Sequence, residues 1–164
     1  MLQSIIDGQR AAFEHAYGLV MQFIEVCPED VWTKTFGGWP VWQQVYHALG
    51  SYQSFTLQDG EAPERGLYPP EVNRLQSIPD VPPAKKDVLA YAARMKAKAD
   101  AYLNALRDAD LTGVNRGLTA KMQAFGISRE FSHSQTLVML SGHILYHLGA
   151  CDAALRERGL KGVF

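Results

Sequence analysis

A chain of 164 residues with 47% apolar and 20% charged residues has the length of a single domain, 1–164, and too much apolar content to remain unfolded. Its 16 basic and 17 acidic residues leave a net charge of −1. The two signs are interspersed, so there is no basic stripe to neutralise phosphates and nucleic acid is not expected as a partner.

The first helix is expected from about Leu2 to Val26, with Ile6, Phe13, Tyr17, Val20 and Ile24 on one face. Pro28 marks its end, because proline cannot continue the hydrogen-bond ladder. The second is expected from Pro40 to about Gln58, with Val41, Val45, Ala48, Tyr52 and Phe55 as its apolar face. Gly37-Gly38 and Asp59-Gly60 punctuate its two ends. Residues 61–83 hold six of the eight prolines and read as a long irregular connection, either functional or a crossover. A third helix is expected over about Ala84 to Asp108, with Val88, Ala92, Met95, Ala99, Tyr102 and Leu106 in register. Leu111 to His133 carries three glycines and reads as irregular. The fourth helix begins near Ser132 to Ser134, with Ser or His as cap, and stops at Arg158-Gly159. Strand-like alternation is scarce, so the expected fold is all-α: a four-helix bundle with long crossover connections.

Cys27 and Cys151 are too few for a disulfide framework and read as reduced thiols, buried small hydrophobes before functional groups. The N-terminus lacks the basic and apolar segments of a secretory signal. Residues 131–151 are uncharged but contain three histidines, so no membrane span is expected and the cytoplasm is the default compartment. The lack of charge also marks the fourth helix as the expected most buried one.

That helix carries His143 and His147. A step of four residues puts two side chains on one helix face, about 5–6 Å apart at Cβ. Both imidazoles can then reach one ion at metal–nitrogen distances of about 2 Å. In an apolar interior each ring nitrogen needs a partner, and a cation satisfies both rings at once; backbone carbonyls or water are the alternative. A third ligand must come from another helix. His47, midway along the second helix, is the best candidate; His15 is the alternative, on a stripe that reads as half-exposed. His133 reads as a cap or surface residue. Ile144 follows His143, so the zinc-protease His-Glu-x-x-His is absent, and Gln44 stands where Glu-x-x-His would need a carboxylate before His47.

The order Gly37-Gly38-Trp39-Pro40-Val41-Trp42, then His47, then a wide gap, then His143-Ile144-Leu145-Tyr146-His147-Leu148-Gly149 resembles the DinB/YfiT superfamily over most of the chain. The resemblance implies a four-helix bundle in which His47, His143 and His147 bind one divalent ion, commonly nickel, zinc or iron. It implies a homodimer, and it implies thiol S-transfer or isomerisation with a low-molecular-weight thiol, although many relatives have no known activity. Apolar Ile144 and Leu148 depart from the polar residues that relatives often carry beside the ligands.

Three neutral imidazoles leave a coordination position open, as catalytic sites do, so the expected activity is that of a metal-dependent transferase or hydrolase on a small molecule. A metal- or ligand-binding bundle without turnover, a sensor or interaction module, is the alternative. No catalytic residue beyond the ligands is assigned. Gln44, Tyr46, Ser51 and Asp152 are candidates to orient the rings. Gly142 and Gly149 admit close helix approach, space at the metal, or plain packing tolerance. Trp32, Phe36, Trp39 and Trp42 are read as core before pocket mouth or dimer contact.

Overall fold

Ser4 opens the first helix: its hydroxyl accepts the Asp7 N–H at 3.1 Å, satisfying one of the donors a helix start leaves free. Helix α1 then spans Ile5–Val26. The computed structural model describes residues 4–164, so the expected start at Leu2 lies outside the described residues. Ile6, Phe13, Val20 and Ile24 are buried as the periodicity predicts, and Tyr17 is half-buried.

After Pro28 come a short helix α2, Glu29–Trp32, and a two-stranded antiparallel hairpin of β1, Thr35–Phe36, and β2, Trp39–Pro40. The hairpin was not expected from the sequence, since strands of two residues are too short to show alternation. The Gly37-Gly38 pair was its signal: both glycines have positive φ, 61° and 92°, which a tight two-residue turn requires.

Helix α3, Val41–Thr56, follows directly. The connection beyond it contains a one-turn helix α4, Pro70–Asn73, and leads to α5, Lys85–Ala105. The second long connection contains α6, Arg116–Ala124, and α7 spans His133–Glu157. Ser132 and Gln135 cap α7 reciprocally, and Gly159, at φ 79°, follows its end. The start near Ser132 and the stop at Gly159 lie where the sequence placed them.

Helices α1, α3, α5 and α7 form the bundle. Helix α3 packs against α5 and α7, and α1 packs against the same two. Helices α1 and α3 therefore sit across the bundle from each other, as do α5 and α7, so the second long connection is a crossover while the first joins the neighbouring α3 and α5. The all-α expectation holds, and among the described residues no helix is long and apolar enough to cross a membrane.

Two expectations need correction. Helix α3, not the uncharged α7, is the most buried: every residue from Val41 to Tyr46 and from Ala48 to Tyr52 is inaccessible or nearly so. In α7 the uncharged stretch continues onto an exposed face, with Val138 at 61% and Tyr146 at 77% exposure. The region read as irregular before α7 also contains α6. Its pattern is weak, with Leu118 its one buried hydrophobic residue and Gly117 near its start. Tertiary contacts compensate. Asn115 accepts from the Leu118 N–H and donates to the Phe55 carbonyl and to Thr136 Oγ1, tying α6 between α3 and α7. Gly117 lies against the Leu57 carbonyl, where a Cβ would not fit.

Candidate metal centre

One stripe of α3 fastens the 57–84 connection onto the bundle. Gln43 Nε2 donates to the carbonyls of Val72 and Ser77, at 2.9 and 2.7 Å. Tyr46 Oη accepts the Leu67 N–H at 3.0 Å, and the Tyr46 carbonyl accepts from Asn73 Nδ2 at 3.0 Å. Gly50, one turn further along, leaves the space that the Asn73 side chain occupies; a Cβ there would collide with it. Positions 43, 46, 47 and 50 share a helix face, so His47 meets the same segment. Its Nδ1 lies 2.6 Å from the Asn73 carbonyl.

A carbonyl only accepts, so His47 Nδ1 carries the proton and Nε2 offers a lone pair. This is the arrangement that holds an imidazole in a metal-ligating tautomer. Nε2 points at His143 Nε2, 3.1 Å away. His147, one turn along α7 and on its buried side, completes a near-regular triangle. Ring centroids are 5.0 Å apart for His47 and His143, 4.6 Å for His47 and His147, and 4.7 Å for His143 and His147. One ring nitrogen from each lies within 4.8 Å of the others, so the three form a group that could hold a metal ion.

The donor set fits a divalent cation. Two ring nitrogens in contact each need either a proton between them or a shared electrophile. Ligands about 2.0–2.1 Å from one ion stand roughly 2.8–3.4 Å apart for angles from 90° to tetrahedral, and the observed 3.1 Å between His47 and His143 lies in that interval. The imidazoles are also in the ligating, neutral state. Burial pulls His143 down to about 3, helped by the charges that His47, His147 and Lys121 would carry. Burial and then His47 pull His147 down to about 4. His47 is lowered as well, by burial against the opposing pull of the Asn73 carbonyl.

The other candidates lie elsewhere. His15 is exposed on α1. His133 begins α7 and pairs its Nδ1 with Tyr102 Oη at 2.7 Å. None of the four proposed ring-orienting side chains is bonded to a ring of the cluster. Gln44 donates to the Phe36 and Trp39 carbonyls, Tyr46 holds Leu67, Ser51 donates to the Ala48 carbonyl, and Asp152 takes Arg156 and the Val163 N–H. The orienting group is a main-chain carbonyl, which no side-chain inventory reveals. Gly142 and Gly149 are exposed with open space above them, so neither admits a neighbouring helix of the bundle or makes room beside the histidines. Trp32 and Trp42 are buried and Phe36 and Trp39 half-buried, within the core and the hairpin that covers it. Cys27 and Cys151 are buried and unpaired; burial raises the first thiol to about 11 and the second further, which disfavours the nucleophilic thiolate at both.

The histidine cluster borders a cavity of about 1160 Å³. His47 and His143 reach it, together with Tyr46 and Tyr91 from the bundle, Leu67 from the 57–84 connection and Lys121 from α6. Both elements that the sequence left irregular, α4 and α6, therefore wall the site.

The family model described as DinB superfamily matches residues 12–151, a span that includes all three histidines. No curated protein and no solved structure matches the chain.

Proposed function

The chain belongs to the DinB superfamily, and on that premise we propose that it is a metal-dependent enzyme of thiol S-transferase or hydrolase type, acting on a small molecule. His47, His143 and His147 would hold one nickel, zinc or iron ion. When bound, the ion supplies Lewis acidity, lowering the pKa of a thiol or water brought to it. The residues of the chain do the rest. The Asn73 carbonyl keeps the His47 lone pair turned inward, burial keeps His143 and His147 unprotonated, and the cavity beside the cluster receives the substrate.

The observation that carries the reading is the meeting of three neutral imidazoles at the edge of a cavity large enough for a substrate and a small thiol together. One observation favours the alternative, a binding bundle without turnover. Among the described residues no carboxylate joins the cluster, and Glu64, which lines the cavity, faces Arg94 and Lys98. The cluster itself then offers no carboxylate as a general base.

Elemental analysis of the purified protein should find close to one metal ion per chain, and His143→Ala should retain none; unchanged metal in that variant removes the residue from the site. Thiol-dependent consumption of an electrophile panel, absent in His143→Ala, separates the enzyme from the binding bundle. A homodimer through α7 is part of the proposal: Val138, Gly142, Tyr146 and Gly149 form an exposed face without charge, suited to a second copy of the same helix. Tyr146→Glu should halve the mass in sedimentation. Two buried unpaired thiols suit a reducing compartment, and the cytoplasm is the one proposed.

A further inference from the structure

Charge around the cavity is one-sided. Four charged side chains line it: Glu64, Arg65, Arg74 and Lys121. The Glu64 carboxylate is shared between Arg94, at 3.7 Å, and Lys98, at 3.8 Å. Arg65, Arg74 and Lys121 have no carboxylate partner among the described residues.

Lys121 is the least comfortable of the three. It is half-buried in the last turn of α6, with Nζ 4.8 Å from the centroid of the Phe55 ring. The same ring meets His143 edge-on at 5.4 Å, so the ammonium group and the histidine cluster flank one side chain. The ring face attracts the cation but does not neutralise it, and an ammonium group taken from water without a counter-ion is costly. Burial, and after it the charge of Arg74, pulls Lys121 down to about 8. Packing alone gives no reason for this position to be charged, since a methionine would fill it.

We propose that Lys121 and Arg74 bind the oxyanion group of the substrate, and that the substrate is a small molecule with an apolar body and one carboxylate or phosphate. Resting on the reading of the site given above, this adds the class of molecule that enters it. The anion neutralises two like charges, the half-buried Lys121 and the exposed Arg74, that line one cavity. The body lies against Leu67, Tyr91 and Met139, and the far end reaches His47 and His143. Lys121 and Arg74 thus choose and place the molecule without taking part in bond changes.

Titration calorimetry on the full chain with benzoate, phenyl phosphate and the neutral benzyl alcohol tests this, with metal content measured on each preparation. The wild type should bind an anionic probe about tenfold or more tighter than benzyl alcohol, and the ranking of benzoate against phenyl phosphate identifies which oxyanion the site prefers. Lys121→Met should lose that preference while keeping its metal, and Lys121→Arg should keep both, which separates a lost charge from a lost fold. His143→Ala should lose metal and keep the preference; if the preference disappears with the metal, the anion sits on the ion and the proposal fails. It fails equally if the wild type shows no preference for the anions, or if Lys121→Met and Arg74→Gln both retain it. Wild-type protein that takes up no divalent ion when supplied with nickel, zinc or iron, yet still prefers the anions, overturns the metal-centre reading and leaves the anion site standing.

Discussion

Helices α3 and α7 both supply histidines to one cluster, yet they are opposite kinds of helix. Helix α3 is buried on nearly every side and uses polar side chains, Gln43, Gln44 and Tyr46, to satisfy the main chain of segments laid over it. Helix α7 has a conventional buried stripe through Leu140, Ile144, His147 and Cys151 and an exposed opposite face that happens to lack charge. Composition alone ranks them the wrong way. An uncharged run signals burial only if nothing else can cover it, whereas a helix rich in Gln, Tyr and Ser can be fully enclosed when loops accept its hydrogen bonds.

The sharpest test of this contrast is truncation in the enclosed helix. Leu49→Ala, at a position with no exposure, should cost about 2–5 kcal/mol in denaturant unfolding. A cost below about 1 kcal/mol would mean that α3 is not packed as described.

The second test concerns what α3 holds in place. Gly50→Ala pushes the Asn73 side chain off the helix and disturbs the carbonyl that orients His47. Metal affinity should fall by roughly 10–100-fold with the three histidines intact. Competition with a chelator measures it, and unchanged affinity would show that the Asn73 carbonyl does not support the site.

A third comparison sets the α7 histidines against the solvent proton. In metal-free protein His143 and His147 are held neutral, with folded values of about 3 and about 4 against an ordinary 6.5. Below 6.5 the unfolded chain binds more protons than the folded one. Stability from this source is therefore complete above pH 6.5 and is lost as pH falls toward 4 and then 3. Denaturant melts across that range should show the loss, and His147→Gln should flatten it; a flat profile in the parent would mean the rings are solvated.

The smallest effect belongs to the outer face of α7. Gly142→Ala meets open space and should stabilise the helix by up to about 1 kcal/mol, measured at dilutions where the chain is monomeric. A destabilisation would place an unseen constraint on that face.

Much of this was legible before any coordinates. Repeating apolar positions located all four long helices to within a few residues, and the Ser132 to Ser134 segment and Gly159 marked the limits of α7, because caps and periodicity are properties of neighbours along the chain. The pairing of His143 with His147 is of the same local kind. Their convergence with His47, 96 residues away, was legible only as chemical need: buried imidazoles require partners, and few other residues offered one.

Tertiary structure alone decided the rest. Helix α6 has too few apolar residues to announce itself and exists because Asn115 and Gly117 dock it on α3. The partner of His47 is a carbonyl, a group every residue possesses, so no residue type could point to Asn73. Lys121 became significant only when folding placed it, without a carboxylate, against Phe55 and beside His143. Local order follows from steric and hydrogen-bond rules that act over a few residues, whereas a site is assembled by which distant surfaces can be buried together, and that is a property of the whole packed chain.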